Sequence, residues 1–167
     1  LDLIKRTHAT LLGAITSMPK REAQTALSAH LQAQQYEYLS PIIQLRQQLD
    51  LYANVRPCFN IKNNLKAFNL VIIRENTEGL YAGFDYHPLP QTLHNLLHAH
   101  PKWRAYDATN ISATLRLQSQ AGLLRLYRFA FAYADTHGFK RVTLADKPNV
   151  LRQSSAFARE FFEQVAQ

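Results

Sequence analysis

The sequence has 167 residues, of which 47% are hydrophobic and 19% charged, a composition typical of a folded domain rather than a disordered one. Its longest nearly apolar run, residues 126–134, contains Arg128 and is too short for a membrane span, which needs about 20 apolar residues. The net charge of +7 is spread along the chain without a Lys/Arg-rich run, which does not favour nucleic-acid binding. We therefore expect neither a membrane nor a nucleic acid as partner.

The cysteine content and the first residues of the chain suggest a cellular compartment. The single cysteine, Cys58, rules out an internal disulfide and is typical of a reducing compartment. Charged residues from Asp2 onward interrupt the apolar region that a signal peptide would need, so we expect a cytoplasmic protein. Because the sequence starts at Leu1 and stops at Gln167 inside helical patterns, we expect it to be a piece of a longer protein.

Helical patterns dominate the first fifty residues. Apolar spacing predicts an amphipathic helix over residues 1–12 and a short strand over 11–15. A loop is expected over 16–24, and the Ala, Gln and Leu content favours a helix over 22–35. A further short helix is predicted after Ser40, which is a good N-cap, with Pro41 in its first turn.

The rest of the chain alternates between strand and helix patterns. The apolar runs 51–59 and 69–75 predict strands, and residues 103–117 suggest one or two exposed strands. Residues 119–137 form the clearest helix, with Gly138 placed to end it. A strand over 139–145, a turn over 146–150 and a helix over 154–166 complete the pattern, which indicates an α/β layer architecture.

Three arginines occupy comparable positions near the ends of apolar segments. They are Arg46, Arg56 and Arg74, and guanidinium groups bind carboxylates through two parallel hydrogen bonds. Together they would suit a substrate with several carboxylates. The alternative is that each pairs with a nearby acid, such as Asp50 or Glu75.

Two further side chains are candidates for proton transfer. Lys147 follows an apolar run and precedes a proline, and a lysine held in this way acts as a general base where burial and neighbouring cations lower its pKa. Tyr81 could donate its phenolic proton, although most such tyrosines only pack with a satisfied hydroxyl. A pair of histidines one helical turn apart, His94 and His98, also permits a metal site, but the metal ligands stay unknown. Neither familiar nucleotide-binding glycine loop is present.

Three segments resemble consecutive signatures of the β-decarboxylating dehydrogenases, the isocitrate/isopropylmalate dehydrogenase family. They are SPIIQLRQQLDLYANVRP (40–57), LVIIRENTEGLYAG (70–83) and VTLADKPNV (142–150). The resemblance is nearest to the isocitrate and homoisocitrate branches. It implies the central part of that α/β fold, without its N-terminal and C-terminal segments. Residues 1–38 would belong partly to the large domain and 39–167 mostly to the smaller substrate and dimerisation domain.

The resemblance also implies roles for individual residues. The arginines at Arg46, Arg56 and Arg74 would clamp the substrate carboxylates. Tyr81 would protonate the enol after carbon dioxide leaves, and Lys147 would serve as the base near the substrate hydroxyl, usually in the site of the partner subunit.

Four other positions carry weaker implications of the same resemblance. Ser40 would touch the substrate, and Asn149 would lie beside the lysine and contact substrate and cofactor. Thr16 would lie near the nicotinamide. Ile42 falls where isocitrate enzymes commonly carry asparagine, so an apolar side chain there is closer to an isopropylmalate pocket.

The implied reaction is the oxidative decarboxylation of a 2-hydroxy di- or tricarboxylate with NAD or NADP and with Mg or Mn. Isocitrate is the leading substrate, and isopropylmalate, homoisocitrate and tartrate are alternatives. The family implies a homodimer. A binding or regulatory subunit without catalysis is the rival hypothesis, and we expect the 167 residues alone to reduce no NAD or NADP.

Overall fold

The structure is a computed structural model, which describes residues 2–34, 40–61 and 68–167. The chain divides into two compact units, residues 1–52 and residues 53–167. Each unit is described by itself below. Among the described residues, no helix has the length and apolar character needed to cross a membrane.

The first unit consists of short helices joined by irregular segments. Its helices are α1 (Asp2–Lys5), α2 (Lys20–Ala26), α3 (Ala29–Ala33) and α4 (Pro41–Gln48). The predicted helix over 1–12 is therefore much shorter than expected, and the strand over 11–15 is absent because none of the described residues pairs with it. The predicted loop over 16–24 ends early, at the start of α2.

The helix predicted over residues 22–35 is interrupted in the middle. Leu27 ends α2 with an extended backbone (ψ of 144°), and Ser28 begins α3 as its N-cap residue. Serine favours helix starts over helix interiors, which explains the interruption. The helix predicted after Ser40 is confirmed as α4, with Pro41 in its first turn.

The second unit begins with an antiparallel pair of strands, β1 (Ala53–Phe59) and β2 (Asn69–Glu75). Both strands were predicted, and β-branched residues in β2 suit the pleated backbone. In the register of the pair, Asn54 lies opposite Arg74 and Arg56 lies opposite Ile72. This register determines which side chains share a face of the sheet.

The central segment of this unit contains short elements. A two-residue strand β3 (Asp85–Tyr86) pairs with β4 (Ala113–Thr114), and α5 (Gln91–His98) lies between them in sequence. Of the one or two exposed strands predicted near the end of this segment, the described residues contain only β4. Three short 3-10 helices complete it: Leu80–Ala82, Trp103–Ala105 and Ala108–Asn110.

Two long helices, α6 (Gln120–Thr136) and α7 (Arg152–Ala166), form the main core of the second unit. Leu123 and Tyr127 of α6 pack with Ala158 and Phe161 of α7, and all four are buried. Gly138 follows α6 with a φ of 71°, and the next amide, of Phe139, bonds back to the helix. Both predicted helices and the glycine stop are confirmed.

The strand predicted over residues 139–145 is wrong. These residues have no regular secondary structure, because a strand needs a hydrogen-bonded neighbour and none of the described residues supplies one. Leu144 nevertheless packs against the α6–α7 core. The predicted turn follows at residues 148–150.

Candidate functional site

Two of the three arginines share one face of the β1–β2 pair. Side chains alternate along a strand, so Asn54 and Arg56 point the same way, and the register adds Arg74 opposite Asn54. Arg56 is therefore a diagonal neighbour of Arg74, a separation of roughly 7–8 Å between backbones. Its Nε donates to Asn54 Oδ1 at 2.8 Å, so Asn54 orients one guanidinium beside the other. No signal in the sequence pointed to Asn54.

Arg74 and Tyr81 are in direct contact. Arg74 Nη1 donates to the Tyr81 hydroxyl oxygen at 2.9 Å, and the guanidinium carbon lies 5.1 Å from the centroid of the tyrosine ring. The Nε of Arg74 is buried and has no hydrogen-bond partner among the described residues. A half-buried guanidinium whose donors are not all satisfied can accommodate an anion.

Glu75 does not pair with its neighbour Arg74, contrary to the alternative considered above. Successive strand residues face opposite sides of the sheet, and the Oε1 of Glu75 instead accepts the amide protons of Asn76, Thr77 and Glu78 at 3.0, 2.7 and 3.1 Å. This carboxylate therefore shapes the turn that carries the chain from Arg74 to Tyr81. No carboxylate of the described residues forms an ion pair with Arg74.

The same turn is attached to helix α6 through two side-chain contacts. Glu78 accepts from the backbone amide of Ser119 at 2.9 Å and from its hydroxyl. Arg125 Nη2 donates to Thr77 Oγ1 at 2.8 Å. Sequence reasoning missed both contacts, because the first joins residues 41 positions apart and the second residues 48 positions apart.

Three further substrate candidates, Ser40, Ile42 and Arg46, lie in the first unit. Ser40 Oγ hydrogen-bonds Ser17 Oγ at 2.8 Å, which links the segment of Thr16 to the start of α4. Ile42 and Arg46 are four residues apart on α4, both half-buried, and therefore share one face of the helix. The grouping of Ser40, Ile42 and Arg46 thus has local support, and the convergence of Arg46 with the arginines of the second unit stays a prediction.

Lys147 and Asn149 lie in the exposed segment that precedes α7. The carbonyl of Lys147 accepts from the amides of Val150 and Leu151 at 3.1 and 3.0 Å, which fixes the turn. Within the described part of the chain, neither side chain forms a hydrogen bond or ion pair with Arg74 or Tyr81. The predicted base therefore has no such interaction with the arginine–tyrosine pair of its own chain.

The residue before this lysine interacts with α7 and with the core. Hydrogen bonding by Ser155, together with the Lys147 amide and the charge of Arg116, lowers the pKa of Asp146, against a smaller effect of burial. The Ser155 hydroxyl is buried, and no described residue meets ordinary hydrogen-bond geometry with it. Burial raises the pKa of Tyr127, and the charge of Asp146 adds to that rise.

The histidines do not form a metal centre with the described residues. His94 and His98 touch edge to face with ring centroids 4.4 Å apart, and His94 Nε2 contacts the carbonyl of Tyr106 at 2.9 Å. In the described ranges, no group of three His, Cys, Asp or Glu side chains is arranged to hold a metal ion. The histidine pair remains a local packing feature of α5.

The chain is similar to known proteins over most of its length. Protein DlpA of Legionella pneumophila is 56% identical over 166 residues, which are 99% of this chain and 27% of that protein. Homoisocitrate dehydrogenase of Methanocaldococcus jannaschii is 32% identical over an alignment that covers 99% of this chain and 42% of that enzyme. The chain thus spans less than half the length of these relatives.

A solved structure and a family profile agree with these relatives. The crystal structure of isocitrate dehydrogenase from Methylococcus capsulatus matches with a TM-score of 0.61 and 33% identity, over 78% of this chain and 35% of that one. The family profile described as isocitrate/isopropylmalate dehydrogenase matches residues 1–167. This chain belongs to the isocitrate/isopropylmalate dehydrogenase family.

Proposed function

We propose that this chain carries the substrate-binding part of an NAD- or NADP-dependent dehydrogenase that oxidatively decarboxylates a 2-hydroxy di- or tricarboxylate, with isocitrate as the leading substrate. The observation that carries the proposal is the Arg74–Tyr81 pair. Arg74 is half-buried, has a buried Nε without a partner among the described residues, and touches a phenol at 2.9 Å. A carboxylate of the substrate would satisfy this guanidinium.

The side chains of the second unit support two steps of that reaction. Arg74 and Arg56, on one face of the sheet, would hold two carboxylates by charge-assisted hydrogen bonds and fix the orientation of the substrate. Tyr81 is the acceptor in its contact with Arg74, so this contact does not use its O–H. Tyr81 would deliver that proton to the carbon that has lost carbon dioxide.

Lys147 would remove the proton from the substrate hydroxyl, with Asn149 beside it. In this proposal the lysine works in the site of a second copy of the chain, which agrees with its lack of contact with Tyr81 in its own chain. The proposed protein is therefore a homodimer with shared sites.

The nicotinamide would accept the hydride when bound, and Thr16 and Asn149 stay proposals for its contacts. Mg or Mn is the metal that the family resemblance implies. The described residues by themselves do not make a divalent-metal site, so we assign no residue to the metal and derive no step through it.

The second candidate is a binding or regulatory subunit that keeps the anion site without turnover. The observation behind it is that Lys147, among the described residues, forms no hydrogen bond or ion pair with Arg74 or Tyr81 of its own chain. Lys147→Ala and Tyr81→Phe separate the two candidates in the complete natural protein. An enzyme loses most of its turnover in both variants while substrate binding survives, whereas a binding subunit shows no turnover in the wild type and binds the ligand in all three forms.

The direct test supplies the purified natural protein with isocitrate, isopropylmalate, homoisocitrate or tartrate, with NAD or NADP and with Mg or Mn. Formation of reduced nicotinamide together with carbon dioxide from one of these acids supports the proposal. Absence of both products with every acid, in a protein that is folded by circular dichroism, overturns it. Ile42→Asn tests the substrate: a rise in the efficiency ratio for isocitrate over isopropylmalate supports the role of Ile42, and an unchanged ratio contradicts it.

A further inference from the structure

The turn between Arg74 and Tyr81 is held by the first turn of α6 through a directed series of hydrogen bonds. The hydroxyl of Ser119 donates to the Glu78 carboxylate and accepts the Gly122 amide proton at 2.9 Å. The Ser119 amide also donates to Glu78 at 2.9 Å. Each group in the series therefore has a defined role as donor or acceptor, which fixes the position of Glu78 against the helix.

Gly122 provides the space for this contact. A Cβ atom at this position would lie 2.5 Å from the carboxyl carbon of Glu78 and 2.5 Å from its oxygens. Glycine is the least favourable residue other than proline inside a helix, and Gly122 is buried. Its presence is explained by the close approach of the Glu78 side chain.

A second series attaches the neighbouring residue of the turn, Thr77, to the same helix. Arg125 donates to Thr77 Oγ1 at 2.8 Å, and the Thr77 hydroxyl donates to Glu75 Oε1 at 2.7 Å. Backbone bonds between Gly79 and Leu117 add to the attachment. The turn is therefore fixed to α6 at two adjacent residues, Thr77 and Glu78.

Tyr81 is coupled to Glu78 by a backbone hydrogen bond. The amide of Tyr81 donates to the carbonyl of Glu78 at 3.2 Å, and the two residues are separated by Gly79 and Leu80. A displacement of Glu78 relative to α6 would therefore move the tyrosine relative to Arg74.

We propose that Glu78, held by Ser119 in the space left by Gly122, is a positioning residue that sets the place of the Tyr81 hydroxyl relative to Arg74. The inference deepens the proposed function and rests on it for the role of Tyr81 in turnover. It assigns to the first turn of α6 a control over the geometry of proton donation, although none of its residues touches the substrate in this proposal.

The test compares Ser119→Ala and Gly122→Ala with two controls in the complete natural protein. Ser119→Thr keeps a hydroxyl, and Ala121→Gly, at an exposed position of the same helix turn, weakens the helix without touching Glu78. With isocitrate as substrate, we expect Ser119→Ala and Gly122→Ala to lower kcat about tenfold and to change KM by less than about threefold. Ser119→Thr should restore kcat, and Ala121→Gly should lower only the melting temperature.

A second readout does not depend on turnover. Fluorotyrosine incorporated at position 81 reports the surroundings of that ring by fluorine NMR, and we expect Ser119→Ala and Gly122→Ala to shift its signal and Ser119→Thr to return it. If Gly122→Ala does not fold, Ser119→Ala and Glu78→Gln decide. A fluorine signal that stays at the wild-type position in these variants overturns the positioning role, whereas a wild type without turnover on any acid overturns the proposed function alone.

Discussion

Arg74 and Tyr81 form a pair in which a guanidinium nitrogen donates to the phenol oxygen at 2.9 Å while the guanidinium carbon lies 5.1 Å from the ring centroid. The one cation thus contacts both the polar end and the face of the ring. The buried Nε of Arg74 has no protein partner among the described residues, which supports our proposal that the pair binds a carboxylate of the substrate.

Replacing Arg74 by methionine should weaken the binding of a tricarboxylate. The variant keeps a long apolar side chain but loses the charge-assisted hydrogen bonds, so we expect the dissociation constant of isocitrate to rise by about 10- to 100-fold. Isothermal titration calorimetry of the natural protein measures this. Arg128→Met, at an exposed position on α6, is the control, and equal affinities in the two variants would contradict an anion site at Arg74.

Tyr81→Phe should separate catalysis from folding. The ring and its contact with the guanidinium remain, and only the hydroxyl is lost, so we expect the free energy of unfolding to fall by about 1 kcal/mol and kcat by about 100-fold or more. Tyr86→Phe, on strand β3, removes a hydroxyl outside the site and should leave kcat unchanged. A Tyr81→Phe variant with full turnover would show that another group donates the proton.

The two phenylalanines of α7 should differ strongly in their effect on stability. Phe161 is 7% exposed in the core, whereas Phe157 is 38% exposed. We expect Phe161→Ala to lower the free energy of unfolding by about 3–5 kcal/mol and Phe157→Ala by clearly less. Urea denaturation followed by circular dichroism measures both. Equal losses of unfolding free energy in the two variants would contradict a core that contains Phe161 and excludes Phe157.

Gly138→Ala should destabilise the end of α6. The φ of 71° at this position is one that residues with a Cβ rarely adopt, and we expect a loss of about 1 kcal/mol in the free energy of unfolding. Gly13→Ala is the matched control, because a Cβ there meets no atom within 4 Å and the backbone is not in the left-handed region. The prediction fails if both variants have the melting temperature of the wild type.

The lowered pKa of Asp146 predicts a dependence of stability on acid. A carboxylate whose pKa is lower in the folded state contributes stability above its unfolded pKa, and this contribution is lost as the pH falls through the folded value. The relevant range therefore lies below about pH 4. Carbon NMR titration should give a value below the ordinary 3.8 for Asp146.

Ser155→Ala tests the cause of that shift. Since hydrogen bonding by Ser155 is the largest cause, we expect the pKa of Asp146 to move back toward its ordinary value in this variant. Ser154→Ala changes a neighbouring half-buried serine and should leave the titration as it is. If the Asp146 titration is the same in wild type and Ser155→Ala, the charge of Arg116 and the Lys147 amide account for the shift instead.

Local patterns in the sequence were sufficient for the elements whose own residues determine them. Apolar spacing predicted α6 and α7, because these helices bury a face that is visible in the sequence. The apolar runs with β-branched and aromatic residues predicted β1 and β2. The strand expected over 139–145 was wrong, because a strand also depends on a neighbour that supplies hydrogen bonds. The helix over 22–35 was interrupted at Ser28, where a capping preference outweighed helix propensity.

The candidate site likewise contains one contact between residues that the sequence pointed to and one between residues that it did not. The contact of Arg74 with Tyr81 lies within one short segment, and the family resemblance marked both residues. The contact of Glu78 with Ser119 depends on packing between segments 41 positions apart, and neither residue type is unusual in its place. Such contacts follow from the fold and leave no periodic signal in the sequence.

The antiparallel register of β1 and β2 has a consequence for changes of length during evolution. Arg56 and Arg74 share a face because Arg74 lies opposite Asn54, and Arg56 lies two residues from Asn54 along β1. Insertion or deletion of one residue between positions 54 and 56, or between positions 72 and 74, would turn one guanidinium to the opposite face, whereas the same change outside the strands preserves the pairing. Homologues that keep both arginines on one face should therefore tolerate gaps around the two strands and not within these two short stretches.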